Sequence, residues 1–587
     1  MPEAAAQSPL SFLSFAALTL LGAAGMFFGQ PNTFAHLPPL VLLFPFCLFI
    51  LAVSAPSSGS AFVRAFILGL AGNCAGLYWL VFPMHDVAGM PLPAAMPCVM
   101  LLSSYLALYA GLAAVGMRRI HTLLVKRHEI DQDGTQNSNP SRCLLVPAAI
   151  LSGFICGLIY GGFETLSGIL LTGFPWLSLS SAFAFWPAWV QAASLFGSYG
   201  LTALYASAAC LAASSVLVGP LKQRLSTGAL ALILCTAIPL YGAQRLAGSE
   251  AADSDIPAKD KESVSVTLVQ GNIDQNQKWV PLFQEQTLRY YMTLTEHALS
   301  GRNTDGPVLV VWPETAMPFV YQLHRDYAST LRGFAAGKQI YLLFGTLGVE
   351  APLPGTSQQY NRVYLISPSG SEVGYYDKRH LVPFGEYIPF AARIPFLQNL
   401  LQGLDFSSGR QASPLRMQLP AEPRNPLEDA PSLPTVNGEP QVVTPSTEMP
   451  GESLSLGALI CYEAIFPYLA QEQVAGGASI LINVSNDAWF RRSSAPWQHL
   501  SLTAMRAVEQ SRPIVRATNT GVTAVIDAKG RIRTLGGDLF TADSMNAAVT
   551  PESGLTIYHR LHPMPEAVLA VFALISLLPL RRKQQSE

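Results

Sequence analysis

Charge is scarce in this 587-residue chain: Asp, Glu, Lys and Arg make up only 13% of it, about half the share usual in a soluble protein. A water-surrounded surface over the whole chain is thereby excluded. Neither sign dominates, since 36 basic residues face 38 acidic ones, so no overall positive field exists to attract nucleic acid. Cysteine is also sparse where it would matter. Of eight cysteines, Cys47, Cys74, Cys98, Cys156, Cys210 and Cys235 fall inside apolar runs, and Cys143 sits at the edge of one. There a thiol behaves by default as a small hydrophobe. No solenoid-type repeat is present, and the length exceeds one ordinary globular domain.

What is abundant is apolar sequence, 50% of residues. Eight runs approach the roughly 20 residues needed to cross a bilayer core. They lie near 9–30, 38–55, 65–84, 91–117, 143–163, 190–217, 227–244 and 564–580, the last short and carrying Glu566 near its start. The first lacks a basic leader and is followed at once by another apolar run, so it reads as a retained span. Placing the N-terminus in the cytoplasm puts Arg64, then Arg118, Arg119, Lys126, Arg127 and Arg142, then Lys222 and Arg224, then Arg581, Arg582 and Lys583 on inside loops. The intervening outside loops are nearly free of Lys and Arg, which satisfies the positive-inside rule and brings both termini inside. The long segment 245–563 then faces outward. It opens with the polar stretch Gly248 to Glu262, and a Pro-, Glu-, Ser- and Thr-rich insertion at 420–450 reads as a flexible loop. The expected organisation is seven spans in 1–244, a soluble α/β domain over 245–563, and a last helix with a cytoplasmic tail over 564–587.

Cys461 is the only cysteine of the outward segment, and a lone exported thiol is either inert and buried or kept reduced for use. The run Ser455 to Ile460 before it reads as a buried strand, and Tyr462 onward can start a helix. Such a junction places the sulfur near a helix N-terminus, where the dipole favours thiolate. Val308-Leu-Val-Val311 is another strand, and Trp312-Pro-Glu314 follows it. A carboxylate there, beside Trp312 and Pro318, keeps apolar company that raises its pKa toward that of a usable base, although loop acids are common. Tyr376 to Phe390 alternates charged with aromatic, Gly and Pro residues. It reads as a structured loop fixing Lys378 and Glu386. An ammonium near a reacting carbonyl stabilises an oxyanion, while by itself such a lysine is commonly a solvated surface group.

Glu314, Lys378 and Cys461, in this order and each at a strand or loop end, resemble the catalytic triad of the nitrilase superfamily. Val269-Gln-Gly-Asn272, Asn483 to Phe490, Pro496-Trp-Gln-His499 and Arg516 to Ala524, together with the eight spans, narrow the resemblance to the apolipoprotein N-acyltransferase family, over essentially the whole chain. The resemblance implies a polytopic α-helical membrane domain carrying an extracytoplasmic αββα sandwich in the cell inner membrane. It implies transfer of the sn-1 acyl chain of a phosphatidylethanolamine-like phospholipid to the α-amine of a diacylglyceryl-cysteine that begins a lipoprotein. Cys461 would be the nucleophile, Glu314 the general base, Lys378 the oxyanion stabiliser, and Glu386, Glu463 and Tyr462 supporting residues. Trp176, in Gly173-Phe-Pro-Trp176, and Trp279, Trp489 and Phe490 are candidate lipid contacts, against the plainer reading of an interfacial aromatic belt.

The chemistry calls for no metal or redox cofactor: an oxyester donor and an amine acceptor are joined through a thioester. His380 and His499 read as hydrogen-bonded loop residues rather than ligands. The chain departs from the family pattern at Arg491-Arg492, where Gly and Lys are expected, and in the length of the 420–450 insertion. Two other readings remain: a membrane-tethered nitrilase-like amidase that releases acyl groups to water, and a transporter with an exported binding module. His85, Asp86 and Glu164 are the nearest candidates for a transport path, and loop positions make them poor ones.

Overall fold

The computed structural model describes residues 10–126, 141–217, 220–255, 263–300, 308–350, 358–389, 406–418, 435–436, 439–440 and 453–578. The side chains of Lys126, Arg142 and Cys143, residues Arg127, Arg581, Arg582 and Lys583, and nearly all of the 420–450 insertion lie outside that set. Inside the insertion only two short strands are described, β7 (Thr435–Val436) and β8 (Glu439–Pro440), paired with each other.

Every apolar run of the sequence is helical. Counting α-helices of five residues or more, these are α1 (Phe12–Gly29), α2 (Leu43–Val53), α3 (Ser58–Gly76), α4 (Leu92–His121), α5 (Ser141–Ser167), α6 (Ala193–Val216), α7 (Leu221–Asp255) and, at the other end of the chain, α13 (Met564–Ser576). Five are long and apolar enough to cross a membrane. A sixth is added if α3 and the helical segment after it, bent by 60°, form one span, and Pro38–Val53 and Met564–Ser576 are shorter. The outer faces of α1 and α7 leave Phe12, Leu13, Leu20, Leu232, Ile233 and Leu240 exposed, a surface suited to lipid rather than water. Inside the bundle, close approach depends on small residues: a Cβ at Gly161 would meet Ala203 Cβ at 2.6 Å. The six cysteines assigned to apolar runs whose side chains are described are unpaired thiols on these helices. α7 continues to Asp255, so the polar stretch from Gly248, expected to open the outward segment, begins as the end of the last helix before the sheets. Glu164 lies within α5 and not in a loop. Its carboxylate accepts hydrogen bonds from Ser178, Thr202 and the Leu179 amide.

The remainder builds two six-stranded sheets. One has the order β14 (Asp543–Val549), β1 (Val264–Gln270), β2 (Val308–Val311), β3 (Ile340–Glu350), β4 (Gln358–Ile366), β5 (Glu372–Asp377). The other runs β13 (Ile532–Leu535), β12 (Ala524–Ile526), β11 (Ile514–Thr518), β10 (Ile480–Ser485), β9 (Ser453–Ile460), β6 (Leu415–Gln418). In each, three central strands are parallel, β1-β2-β3 and β9-β10-β11, and the flanking strands are antiparallel.

The two-residue side-chain period of a strand sorts the core. Leu309, Val311 and Leu343 meet Leu456, Ala458, Ile460, Ile482 and Val484 between the sheets. Val308, Val310, Leu342 and Phe344 turn the other way, onto α8 (Gln284–Leu299) and α9 (Arg325–Lys338). On the opposite side Leu459, Leu481 and Ile514 pack under α10 (Pro467–Ala475) and α11 (Ala495–Gln510). The result is an αββα sandwich, as the family resemblance implies. The α11 layer is continuous with the membrane bundle, because Ala504, Met505 and Val508 share one core with Phe183, Leu201 and Tyr205. Among the polar contacts across that seam, α6 is broken at Gly197, with φ of 73°, and the freed Ser198 amide donates to Glu509 Oε1 at 2.7 Å. Two elements link the sandwich back to the bundle, α12 (Ile557–Leu561) and α13.

Candidate active site

In open α/β sheets the carboxyl ends of parallel strands leave loops free to converge, and both sheets bring theirs to one spot. Val311 ends β2, and Trp312 is buried under Thr295, whose hydroxyl receives its indole N–H at 2.9 Å. The chain then turns sharply through Glu314 and Thr315, the latter with φ of 45°, a conformation unusual for a β-branched residue. Gly345 on β3 makes room for this turn. A Cβ there would lie 2.6 Å from Pro313 O and 2.7 Å from Glu314 Cα.

The Glu314 carboxylate is buried among donors. Oε1 accepts from Asn361 Nδ2 at 2.7 Å, Oε2 accepts from the Asn486 amide at 2.8 Å, and Lys378 Nζ stands 3.7 Å away. Polar partners, not the apolar wall expected from Trp312 and Pro318, surround it. Lys378 follows β5 immediately. It is buried rather than solvated, with Nζ 2.8 Å from Glu386 Oε1. Burial works against its charge, but Glu386 and Glu314 outweigh that and hold the ammonium well above the usual lysine range. Glu386 is fixed in turn, its Oε2 accepting the Val382 amide at 2.8 Å.

Cys461 follows β9. A continued strand would point its side chain with Leu459 toward the helices. Its φ of 53° redirects it, and the side chain packs against the core between the sheets. The element that follows is a five-residue 3₁₀ turn, Cys461–Ile465, and α10 begins only at Pro467. The thiol therefore does not cap a long helix, and no thiolate is favoured at rest. Burial and the Glu314 charge push its pKa far up, with Lys378 opposing. Glu463 is buried and ties this turn to the lysine loop, accepting from the amides of Ile460 at 2.7 Å, Arg379 at 2.7 Å and His380 at 3.1 Å, and from Tyr376 Oη at 3.0 Å. Behind Cys461, its carbonyl oxygen receives His499 Nε2 at 3.1 Å, while His499 Nδ1 meets Asp487 Oδ1 at 3.2 Å and Asp487 Oδ2 pairs with Arg516 at 2.8 Å. His499 thus sits in α11 and not in a loop. His380 is in a loop, bonded to Tyr468.

Two family descriptions match the chain: Carbon-nitrogen hydrolase over residues 265–543, and Apolipoprotein N-acyltransferase N-terminal domain over residues 22–211. The apolipoprotein N-acyltransferase of Geobacter metallireducens is 33% identical over 542 residues, covering 91% of this chain and 90% of that protein. The chain belongs to the apolipoprotein N-acyltransferase family. It is an enzyme, an acyltransferase of the carbon–nitrogen hydrolase superfamily. The Rhodopseudomonas palustris member is 32% identical over 72% of each chain, and the Haemophilus influenzae member 28% identical over 89% of this chain and 86% of its own. An amidase structure from Nesterenkonia sp. AN1, at 16% identity, covers 52% of this chain and 96% of its own with a TM-score of 0.34.

The aromatic residues singled out in the acyltransferase sequence divide in the structure. Trp176 is buried, its ring centroid 6.3 Å from Tyr462, 4.9 Å from Trp79 and 5.7 Å from Phe490. Tyr462 Oη reaches Gly173 O at 3.2 Å. Trp279 is about half exposed, and Trp489 is partly buried with no ring contact among the described residues. Phe174 and Pro175 line a recess in the bundle with a cavity volume of about 80 Å³, together with Met26, Phe44, Tyr109 and Phe163. Four residues at the centre were assigned no role from the sequence, although Asn486 and Gln498 lie in motifs that carry the family resemblance. Asn361 and Asn486 hold Glu314, Lys278 is buried beneath it, and Gln498 Oε1 accepts the indole N–H of both Trp79, at 3.0 Å, and Trp176, at 2.9 Å. The available signal was a polar residue in otherwise buried sequence, as in Tyr360-Asn361-Arg362-Val363 and Trp497-Gln498-His499-Leu500.

Proposed function

We propose that this enzyme transfers the sn-1 acyl chain of a phosphatidylethanolamine-like phospholipid to the α-amine of an N-terminal diacylglyceryl-cysteine on lipoproteins, in two half-reactions through a thioester on Cys461. The observation that carries the reading is the meeting of Cys461, Glu314 and Lys378 under the aromatic group of Trp176, Phe490 and Tyr462, next to an apolar recess in the membrane bundle. A thiol held protonated by burial needs a base beside it. Glu314 takes the Cys461 proton as sulfur attacks the donor ester carbon, and Lys378 balances the oxyanion. The ester C–O bond breaks, Glu314 returns the proton to the departing lysophospholipid oxygen, and the thioester remains. The acceptor amine then attacks, loses a proton to Glu314, and the C–S bond breaks as that proton returns to sulfur.

Glu386 keeps Lys378 charged, Glu463 fixes the Cys461 turn, and Tyr462 packs its ring beside Trp176 and Phe174. Trp176, Phe490, Trp279 and Trp489 contact lipid. Residues 245–563 form the periplasmic domain, with 1–244 and 564–587 in and beneath the inner membrane and both termini cytoplasmic; the Arg and Lys residues on alternate loops support that orientation. The test incubates purified wild type and Cys461→Ala with a phospholipid labelled in its sn-1 chain and reads the protein by mass spectrometry. An acyl adduct is expected on wild type only, discharged by a diacylglyceryl peptide and absent in Glu314→Gln. Adduct formation at the normal rate in Cys461→Ala would falsify the reading.

A further inference from the structure

Lys278 ends a single helical turn, Gln275–Lys278, and is 1% exposed. A buried ammonium is costly unless its hydrogens are taken up, and here its partners are not carboxylates. Nζ donates to Thr315 Oγ1 at 2.6 Å and to the main-chain oxygen of Glu314 at 3.4 Å. Both acceptors belong to the sharp turn that carries Glu314, and Thr315 is its left-handed residue. The same helical turn grips the other side of the carboxylate. Gln275 Oε1 accepts Asn486 Nδ2 at 2.9 Å, and the Asn486 amide donates to Glu314 Oε2. The next residue, Trp279, faces outward with Lys278 Nζ 5.8 Å from its ring.

Charge points the same way. Glu314 and Glu386 face the single ammonium of Lys378, which leaves one negative charge in a buried site. Lys278 supplies the balancing positive one and interacts electrostatically with Glu314 and Cys461. We propose that Lys278 is a positioning residue for acyl-enzyme formation: its ammonium pins the left-handed Thr315 turn so that the Glu314 carboxylate stays aimed at Cys461, and it neutralises the buried cluster while doing so. The inference rests on the reading of Glu314 as base and Cys461 as nucleophile. Because burial lowers the Lys278 pKa to about 8, with Glu314 and Cys461 opposing, this hold is strongest below that pH and is released above it. The titratable groups facing it are Glu314 and Cys461, with Lys378 and Glu386 beyond the Glu314 carboxylate.

The experiment follows the rate of the acyl adduct on Cys461 from labelled phosphatidylethanolamine between about pH 7 and 9.5, at several lipid concentrations, in the full-length protein. Wild type is expected to slow as pH rises through about 8. Lys278→Met is expected to form adduct at least about ten-fold more slowly at pH 7, with the half-saturating lipid concentration changed by less than about two-fold, and to lack the step near pH 8. Thr315→Val, which removes only the hydroxyl acceptor, should also slow adduct formation, while Thr315→Ser should restore it. A Lys278→Met enzyme within about two-fold of wild type, or one that is slow but retains the step, overturns the proposal. Should Lys278→Met fail to fold, an unchanged rate in Thr315→Val or a flat wild-type profile overturns it equally. Absence of any Cys461 adduct on wild type would instead refute the reading beneath it.

Discussion

Glu463 illustrates what single residues do here beyond chemistry. One carboxylate satisfies three main-chain amides and a tyrosine hydroxyl at the ends of β5 and β9, so Glu463→Ala strands several buried donors, each worth roughly 1–3 kcal/mol. Loss of at least about 3 kcal/mol is expected, read by thermal unfolding in detergent micelles. Gln498→Leu should cost about 2–4 kcal/mol in the same assay, because two indole N–H groups lose their one acceptor. Protonation supplies a third expectation. Burial opposes ionisation of Asp487, but Arg516 and His499 outweigh it and hold its carboxyl at about 2, while burial and Arg516 depress His499 below its ordinary 6.5. In both cases the unfolded chain takes up protons first, so their contribution to stability is intact above about pH 6.5 and declines on acidification. Melting temperature should fall as pH drops below that value, and less steeply in His499→Gln.

At the scale of elements, the site depends on two left-handed turns, at Thr315 and Cys461, each placed where a buried parallel strand stops. The strand ends were legible beforehand, since Val308 to Val311 and Ser455 to Ile460 are short apolar runs that only a covered strand accommodates. The turns were not, because no local pattern marks a threonine or cysteine for positive φ. A helix was expected straight after Cys461, and Pro467 with the intervening 3₁₀ turn delays it. Gly345 carries the matching requirement from the neighbouring strand. Gly345→Ala has no flexible side chain to displace, only the backbone of Pro313, Glu314 and Thr315. It should lower the rate of adduct formation on Cys461 by about ten-fold or more while the protein still folds, as single-turnover mass spectrometry would reveal.

Over the whole molecule, the sandwich and the bundle are joined by contacts of very different worth. Arg506 and Glu509 are fully buried, linking Ile465 O, Ser198 and the broken end of α6. Removing one charge of such a pair leaves the other stranded, so Glu509→Leu should cost about 3–5 kcal/mol. Arg491 and Asp86 bridge the same two parts at 2.6 Å, but the arginine is 58% exposed. Asp86→Asn should therefore change stability by less than about 1 kcal/mol. Urea unfolding of the two variants separates the cases. Of the two arginines that depart from the family pattern, Arg491 is thus spent on a surface bridge and lies over Phe82, leaving Glu314, Lys378 and Cys461 untouched.

The amino-acid sequence by itself determined which segments are buried, which alternate, and where a carboxylate, an ammonium and a thiol stand at segment ends. Hydrophobic period and turn chemistry are local, and a strand or span needs nothing beyond its own residues to announce itself. Only the tertiary structure decided which polar groups meet. The Asn486 amide finds Glu314 across 172 positions, and Gln498 finds Trp79 across 419. Lys278, buried at the end of its one-turn helix, meets Glu314 O and Thr315 Oγ1 from another segment, and a hydrogen bond between distant segments leaves no periodic trace in the chain that makes it.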